Sequence, residues 1–270
     1  AFALSNAIIS PSLTFGLIIF IEKTFKISTD LTLFELTDFN NPLLKDLAQQ
    51  APGTFTHSIT MGSMVEKAAD LIGGRPTLAR VGAYYHDIGK MVEPEIFVEN
   101  QIDTRNIHEN ISPEKSRDVI ISHVNRGIEL ARKNNLPKEI IDFIPMHHGT
   151  MVLTYFYEKA KNLYGESNVN VDEYRYPGPK PNTKETAIVM LADACESTVR
   201  SIDDSDPQII ENVINNLINT RIEDGQLDEA PLTFNEIKII KESFFNILIG
   251  HHHRRIRYPN QDELETKGEE

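Results

Sequence analysis

Apolar residues in this chain recur mostly at spacings of three and four, the mark of helices that bury one face. The clearest run follows Ala51-Pro52-Gly53-Thr54, which breaks the chain. Met61, Met64, Val65, Ala68 and Ile72 then form one stripe, and Gly73-Gly74 ends it. Pro76 suits the first turn of a second helix, in which Leu78, Val81, Gly82 and Tyr85 point inward before Gly89 stops or bends the chain. Ser112-Pro113 opens a third, with Ile120, Val124, Gly127 and Ala131 inward and Asn134-Asn135 at its close. Pro137 begins a fourth, carried by Ile140 and Ile144 toward His147 and His148. Thr183 to Ile202 make a fifth, with Ile188, Leu191, Ala192, Cys195, Val199 and Ile202 inward. Two more helices are predicted over 207–222 and 235–253. Residues 91–111 are predicted to be irregular, and 165–182 to be a loop, because Gly165, Pro177, Gly178, Pro179 and Pro181 crowd it. The sequence offers no internal repeat, no alternating strand of useful length and no Gly-rich phosphate loop. It therefore predicts an all-α domain over 51–259. A connector precedes it at 26–50, holding a turn at Asp38–Pro42 and a short helix from Pro42 to Gln50. A polar tail follows at 260–270.

The first 21 residues read differently. They are mostly apolar, with no charge before Glu22, and are close to the length of a membrane span. Ser5, Asn6, Ser10, Pro11 and Ser12 interrupt them, and Leu17 to Ile21 is the strongest part. A signal peptide fits poorly, because neither a basic lead nor a small-residue cleavage motif flanks the segment. Residues 1–25 are thus either the end of a membrane helix or an amphipathic lead-in packed on the domain.

Laid on the helical pattern, the histidines change the picture. His57 lies on the face of Met61. His86 falls four residues after Gly82 and is followed at once by Asp87. His123 stands within the third inward stripe, His147 and His148 follow Ile144, and Asp193 sits beside the fifth stripe. A His-Asp dipeptide alone says little, and one inward histidine is more often a satisfied core residue. Five histidines and two aspartates on successive helices are costly to bury unless they share a partner. Neutral imidazole and carboxylate both suit a divalent transition metal. Seven ligands exceed one tetrahedral ion and suit two. Asp87 would bridge them, with His57, His86 and Asp193 on one ion and His123, His147 and His148 on the other. A hydroxide bridging two such ions is a strong nucleophile at neutral pH. Lys90, one turn after Asp87, is placed to meet a phosphate oxygen; as a plain alternative it is a solvated lysine at a helix end.

Composition narrows the ligand. The chain has 270 residues with formal net charge −13, which argues against the basic surface that a nucleic-acid polymer needs. A small nucleotide stays open, because metal ions supply positive charge locally. The single cysteine, Cys195, excludes an intramolecular disulfide and a Cys-rich zinc site, and fits a reducing compartment.

From about residue 30 to residue 259 the chain resembles the cytoplasmic HD domain of the bacterial seven-transmembrane HD-domain phosphodiesterases. The resemblance rests on APGTFTHS (51–58), ARVGAYYHDIGK (79–90), FVENQ (97–101), HHGT (147–150), YFYEKAK (155–161), RYPGPKPNTKE (175–185) and AIVMLADACESTVRS (187–201). It implies an HD-type helical bundle with a di-metal centre of iron or manganese, held by His57, His86, Asp87, His123, His147, His148 and Asp193. It also implies hydrolysis of cyclic di-AMP to linear pApA at the cytoplasmic face of the cell membrane, with 1–21 derived from a membrane helix. A homodimer stays open. Asp87 and Lys90 are the expected catalytic residues, and Lys90, Thr150 and Arg175 the expected substrate contacts. The Tyr174–Lys184 loop, with Arg175, Lys180 and Lys184, is the candidate wall of the adenine pocket. His251-His252-His253 lies outside the metal motif. Three rivals remain: a cyclic di-GMP phosphodiesterase of the HD-GYP type, a dNTP hydrolase or nucleotidase, and a module that binds nucleotide without turnover. Gly149-Thr150-Met151 after the paired histidines departs from the first. The surplus histidines speak against the second, and the intact ligand set against the third.

Overall fold

The computed structural model describes residues 2–25, 28–101, 107–202 and 206–252. The described residues are helical throughout, with α1 at Phe2–Phe25, α2 at Asp30–Leu36, α3 at Pro42–Gln50, α4 at Pro52–Leu71, α5 at Pro76–Tyr85, α6 at Pro113–Lys133, α7 at Lys138–Ile141, α8 at Phe143–Met146, α9 at Thr154–Tyr164, α10 at Lys184–Arg200, α11 at Pro207–Glu223 and α12 at Phe234–His252. No strand forms among them beyond one antiparallel bridge between Val152 and Arg175. The all-α expectation holds. His251 and His252 close α12, while His253 and the tail at 260–270 fall outside the described residues.

Cap chemistry sets most of the helix starts. Proline stands first in α3, α4, α5, α6 and α11, where its missing N–H costs nothing. Asn41, Ser112, Thr183 and Asp206 accept from the backbone N–H groups of their helices. The stripes predicted for α4, α5 and α10 are buried, except that Ile202, expected inward, is half-buried beyond the end of α10 at Arg200. They merge into one core in which α4 packs against α5, α10 and α12.

Four segments depart from the sequence pattern. The helix expected from Pro137 is split into α7 and α8. Pro145 has no N–H to give, and its ring would meet the carbonyl of Ile141, so one continuous helix is blocked there. His147 and His148 consequently follow a short turn. Helix α9 emerges where no element was predicted, and α2 emerges inside the connector. The 91–111 stretch is organised as 3-10 turns at Pro94–Ile96, Val98–Asn100 and Ile107–Glu109, with 102–106 outside the described residues.

Helix α1 is exposed along its length. Ile8, Ile9, Leu13, Phe15, Leu17 and Phe20 are each more than half exposed, so α1 does not pack on the domain. Ser5–Glu22 is long and apolar enough to cross a membrane. Glu22 accepts from the N–H and hydroxyl of Thr29 and the hydroxyl of Thr32, which fixes the joint into α2. Ser28 donates its N–H to Glu139 at 2.9 Å, and Arg75 reaches both Glu139 (3.0 Å) and the Ser28 carbonyl (2.9 Å). The joint is thereby tied to α5 and α7.

Gly89 decides how the His-Asp segment meets α6. A Cβ there would sit 1.9 Å from the His123 carbonyl oxygen and 2.6 Å from the Gly127 nitrogen, both backbone atoms that cannot swing away. Gly89→Ala is therefore expected to destabilise the domain by about 3 kcal/mol, at the upper end of overpacking costs, because it forces α6 off the turn that carries Asp87. Chemical denaturation checks this; a midpoint equal to that of the unaltered chain would show that α6 can shift freely.

Candidate metal centre

Five elements deliver the seven predicted ligands. His57 comes from α4, His86 and Asp87 from the end of α5, His123 from α6, His147 and His148 from the turn after α8, and Asp193 from α10. Ligand atoms of His57, His86 and Asp87 lie within 4.8 Å of one another. Those of Asp87, His123, His147 and His148 do the same. Asp87 belongs to both sets. Its Oδ2 is 3.2 Å from His86 Nε2, while its Oδ1 is 3.4 Å from His123 Nε2 and 3.5 Å from His147 Nε2. Asp193 Oδ1 stands 3.1 Å from His57 Nε2 and joins the first set.

Three of the imidazoles are aimed by their other nitrogen at a nearby carbonyl. His86 Nδ1 donates to the Ala83 carbonyl at 2.7 Å, His123 Nδ1 to that of Ile120 at 2.5 Å, and His147 Nδ1 to that of Phe143 at 3.2 Å. The carbonyls can only accept, so Nδ1 carries the proton and Nε2 turns a lone pair inward. Nε2 of His86, His123 and His147 and Oδ1 of Asp87 are all buried without a hydrogen bond among the described residues. Four orphaned lone-pair donors around one carboxylate fit a cation. A hydrogen-bonded core would have supplied donors to meet them.

The electrostatics agree. Burial holds the pKa values of His123 and His148 below the usual range, and brings His147 down to about 3, so these rings are neutral and ready to ligate. For Asp87 burial pulls the other way, but Lys90 and then His86 keep its carboxyl well below the usual carboxylate range. His57 is the exception. Burial opposes its charge, but Asp193 and Glu196 outweigh that and push it up to about 9.

Three further residues shape the site and escaped the sequence reading. Glu196 accepts from His57 Nδ1 at 2.5 Å and is itself held by Arg200 at 3.2 Å. Its signal was present, since it lies one turn after Asp193 on the predicted helix. Glu99 binds Lys90 Nζ at 2.7 Å, matching the 2.7 Å from Lys90 to Asp87 Oδ2. Lys90 is thus not a solvated helix-end residue: it is clamped between two carboxylates over the Phe97 ring. Tyr176 stacks on His148 with ring centres 4.0 Å apart and planes 18° apart. Nothing in the spacing of a proline-rich loop marked it.

The expected substrate contacts lie beside His148. Thr150 donates its N–H to Gln226 Oε1 at 3.0 Å and its hydroxyl accepts from Gln226 at 2.9 Å. Arg175 donates to the Thr150 carbonyl at 2.9 Å and stands 3.6 Å from Asp224. Lys180 is bound to the Gly225 carbonyl, and Lys184 to Glu236. A cleft of about 400 Å³, lined by Pro52, Gly53, Thr56, Glu99 and Arg200, opens beside the first ligand set.

A helical bundle that gathers H…HD…H…HH…D into one buried centre defines a class, and the HD domain family model matches residues 54–198; the chain belongs to that family. Within it, the chain is 44% identical over 91% of its length to the cyclic-di-AMP phosphodiesterase PgpH of Listeria monocytogenes, and 41% identical over 93% to that of Bacillus subtilis. It spans about a third of each of those proteins, 34% and 35% respectively. The crystal structure of the L. monocytogenes PgpH HD domain in complex with cyclic di-AMP superimposes with a TM-score of 0.76. That match has 44% identity and covers 80% of this chain and all of the other.

Because Glu196 orients His57 alone, Glu196→Gln is expected to weaken metal binding at the first candidate set by about 10–100-fold, the usual effect of losing a carboxylate behind a ligating histidine. The second set should keep its ion. Metal content per chain after dialysis against graded chelator reads this directly; equal loss from both positions would mean that Glu196 acts on the whole fold.

Proposed function

We propose that this chain is the catalytic HD domain of a membrane-anchored phosphodiesterase that hydrolyses cyclic di-AMP to linear pApA. The observation that carries this reading is the pair of ligand sets sharing Asp87, each with orphaned lone pairs and a different carboxylate oxygen. His57, His86 and Asp193 would hold one ion and His123, His147 and His148 the other, with Asp87 common to both sets, and iron or manganese would suit the nitrogen and oxygen donors. Bound there, two such ions supply an activated water and neutralise phosphoryl charge. The adenine preference is supported by the Listeria HD domain, which carries cyclic di-AMP in its crystal structure and aligns over its full length.

The chain's own residues account for positioning. The Lys90 ammonium has three donors, and Asp87 and Glu99 use two. The third is left for a non-bridging phosphoryl oxygen, where charge grows in the transition state. Thr150 and Arg175, braced against Gln226 and Asp224, form a preorganised wall for the nucleotide beside His148. Water adds in line to phosphorus, the bond from phosphorus to the 3′ oxygen breaks, and that oxygen leaves as a hydroxyl. No serine or cysteine nucleophile is required, and Cys195 is buried in the core with its thiol pushed up to about 12. Helix α1, apolar and unpacked, supports reading it as the end of a membrane helix, with the domain on the cytoplasmic side in this proposal.

The product made in labelled water tests the chemistry. The solvent oxygen is expected on the 5′-phosphate of pApA; a 3′-phosphate product, an enzyme-bound phosphoryl group, or faster turnover of cyclic di-GMP would count against the reading. Asp87→Ala is expected to lose both ions and all turnover, because bridge and charge balance go together. Metal analysis showing two ions still bound in that variant would sink the assignment.

A further inference from the structure

Tyr176 is only 6% exposed, and its backbone is fixed on both sides of the Val152–Arg175 bridge. Its N–H donates to the Met151 carbonyl at 2.9 Å, and Leu153 donates to the Tyr174 carbonyl at 2.8 Å. The ring lies flat on His148 and presents its edge to His123, with ring centres 6.3 Å apart. It therefore has little freedom to turn away. The charged groups that act on its hydroxyl are Lys90, Asp87 and Asp193, which belong to both ligand sets and to the phosphate lysine. Among the described residues that hydroxyl has no hydrogen-bond partner, and it is not one of the fully buried polar atoms, so it opens to solvent at the site. A phenol held rigidly against His148 and His123, its hydroxyl free of protein partners and open to solvent, is a donor placed to meet an acceptor that arrives with a ligand.

Resting on the phosphodiesterase reading above, we propose that the Tyr176 hydroxyl donates a hydrogen bond to a non-bridging oxygen of the scissile phosphodiester, while its ring face holds His148 in ligating position. The phosphoryl oxygens are the acceptors that any substrate must bring to this point, whatever its bases. Lys90 and Tyr176 then address the same group with a charged and a neutral donor. The hydroxyl and the ring are separable, because phenylalanine keeps the stack and removes only the donor.

The test compares Tyr176→Phe and Tyr176→Leu with the unaltered 270-residue chain. Metal content, melting temperature, kcat and KM are measured with cyclic di-AMP and with bis(p-nitrophenyl) phosphate, a generic phosphodiester. Tyr176→Phe is expected to keep both ions and its melting temperature but to lose at least about ten-fold in kcat on both substrates, a modest fraction of what an oxyanion donor is worth. KM should stay within about three-fold, because the contact strengthens as charge develops. Tyr176→Leu should in addition lose metal from the second set. A smaller fall in kcat, or loss of metal in the phenylalanine variant, overturns the hydroxyl's role. Full metal occupancy in the leucine variant overturns the ring's role. An unaltered chain that turns over the generic diester but not cyclic di-AMP strikes the substrate reading alone, and Tyr176 is then judged on the generic diester. Turnover of neither overturns both.

Discussion

Asp87 is a fully buried carboxylate whose two oxygens see different neighbours. Such burial costs several kcal/mol per charge unless something of opposite sign stands close. On Oδ2 the offset comes from Lys90, 2.7 Å away. On Oδ1 the protein offers only the lone pairs of His123 and His147, which cannot satisfy an anion. The site is therefore short of positive charge on one side, and the surrounding helices are arranged to keep it so. Helix α5 stops at Tyr85, so that His86 and Asp87 diverge from its end. Gly89, bare of a side chain, then lets the turn lie against the backbone of α6, which brings His123 up to Asp87.

Two ways of aiming a histidine divide the centre. His86, His123 and His147 each donate to a carbonyl three or four residues earlier, so ring orientation is a local property of the helix or turn that carries it. His57 instead relies on Glu196, which reaches it from α10. Its aim depends on how α4 packs on α10. The second set is the more self-contained, while the first is sensitive to the contact between those two helices. Tyr176 adds a third device, a flat ring behind His148 that a bridge to Val152 keeps in place.

The exposed α1 sits oddly beside so well packed a domain, until its joint is considered. Glu22 caps the start of the next segment, and Ser28 is held by Glu139 and Arg75, with the N–H of Arg75 donating to Glu185 at the start of α10. Bonds to charged groups of this kind are worth about 1.5–3 kcal/mol each. An apolar helix is thus fastened by polar contacts to the same helix that carries Asp193 and Glu196.

The sequence by itself determined four of the long helices and proposed the candidate ligand set. Inward stripes at spacings of three and four fixed α4, α5, α6 and α10, and the histidines and aspartates fell on or beside those faces, where only a shared partner justifies them. Both are local properties, since periodicity and a costly residue on a buried face need no knowledge of the partner helix. The break at Pro145 was equally local and was overlooked, although proline at that place excludes a continuous helix. Tertiary structure alone decided which side of Asp87 faces which ligands. It also decided that Lys90 is clamped by Glu99, that Glu196 rather than a carbonyl aims His57, and that Tyr176 covers His148. Glu196 reaches His57 and Tyr176 reaches His148 across long stretches of chain, and irregular turns fold Glu99 back onto Lys90. Spacing along one helix carries no information about the rotation of the next, and it is that rotation, set by core packing, that brings such pairs within hydrogen-bond or stacking distance.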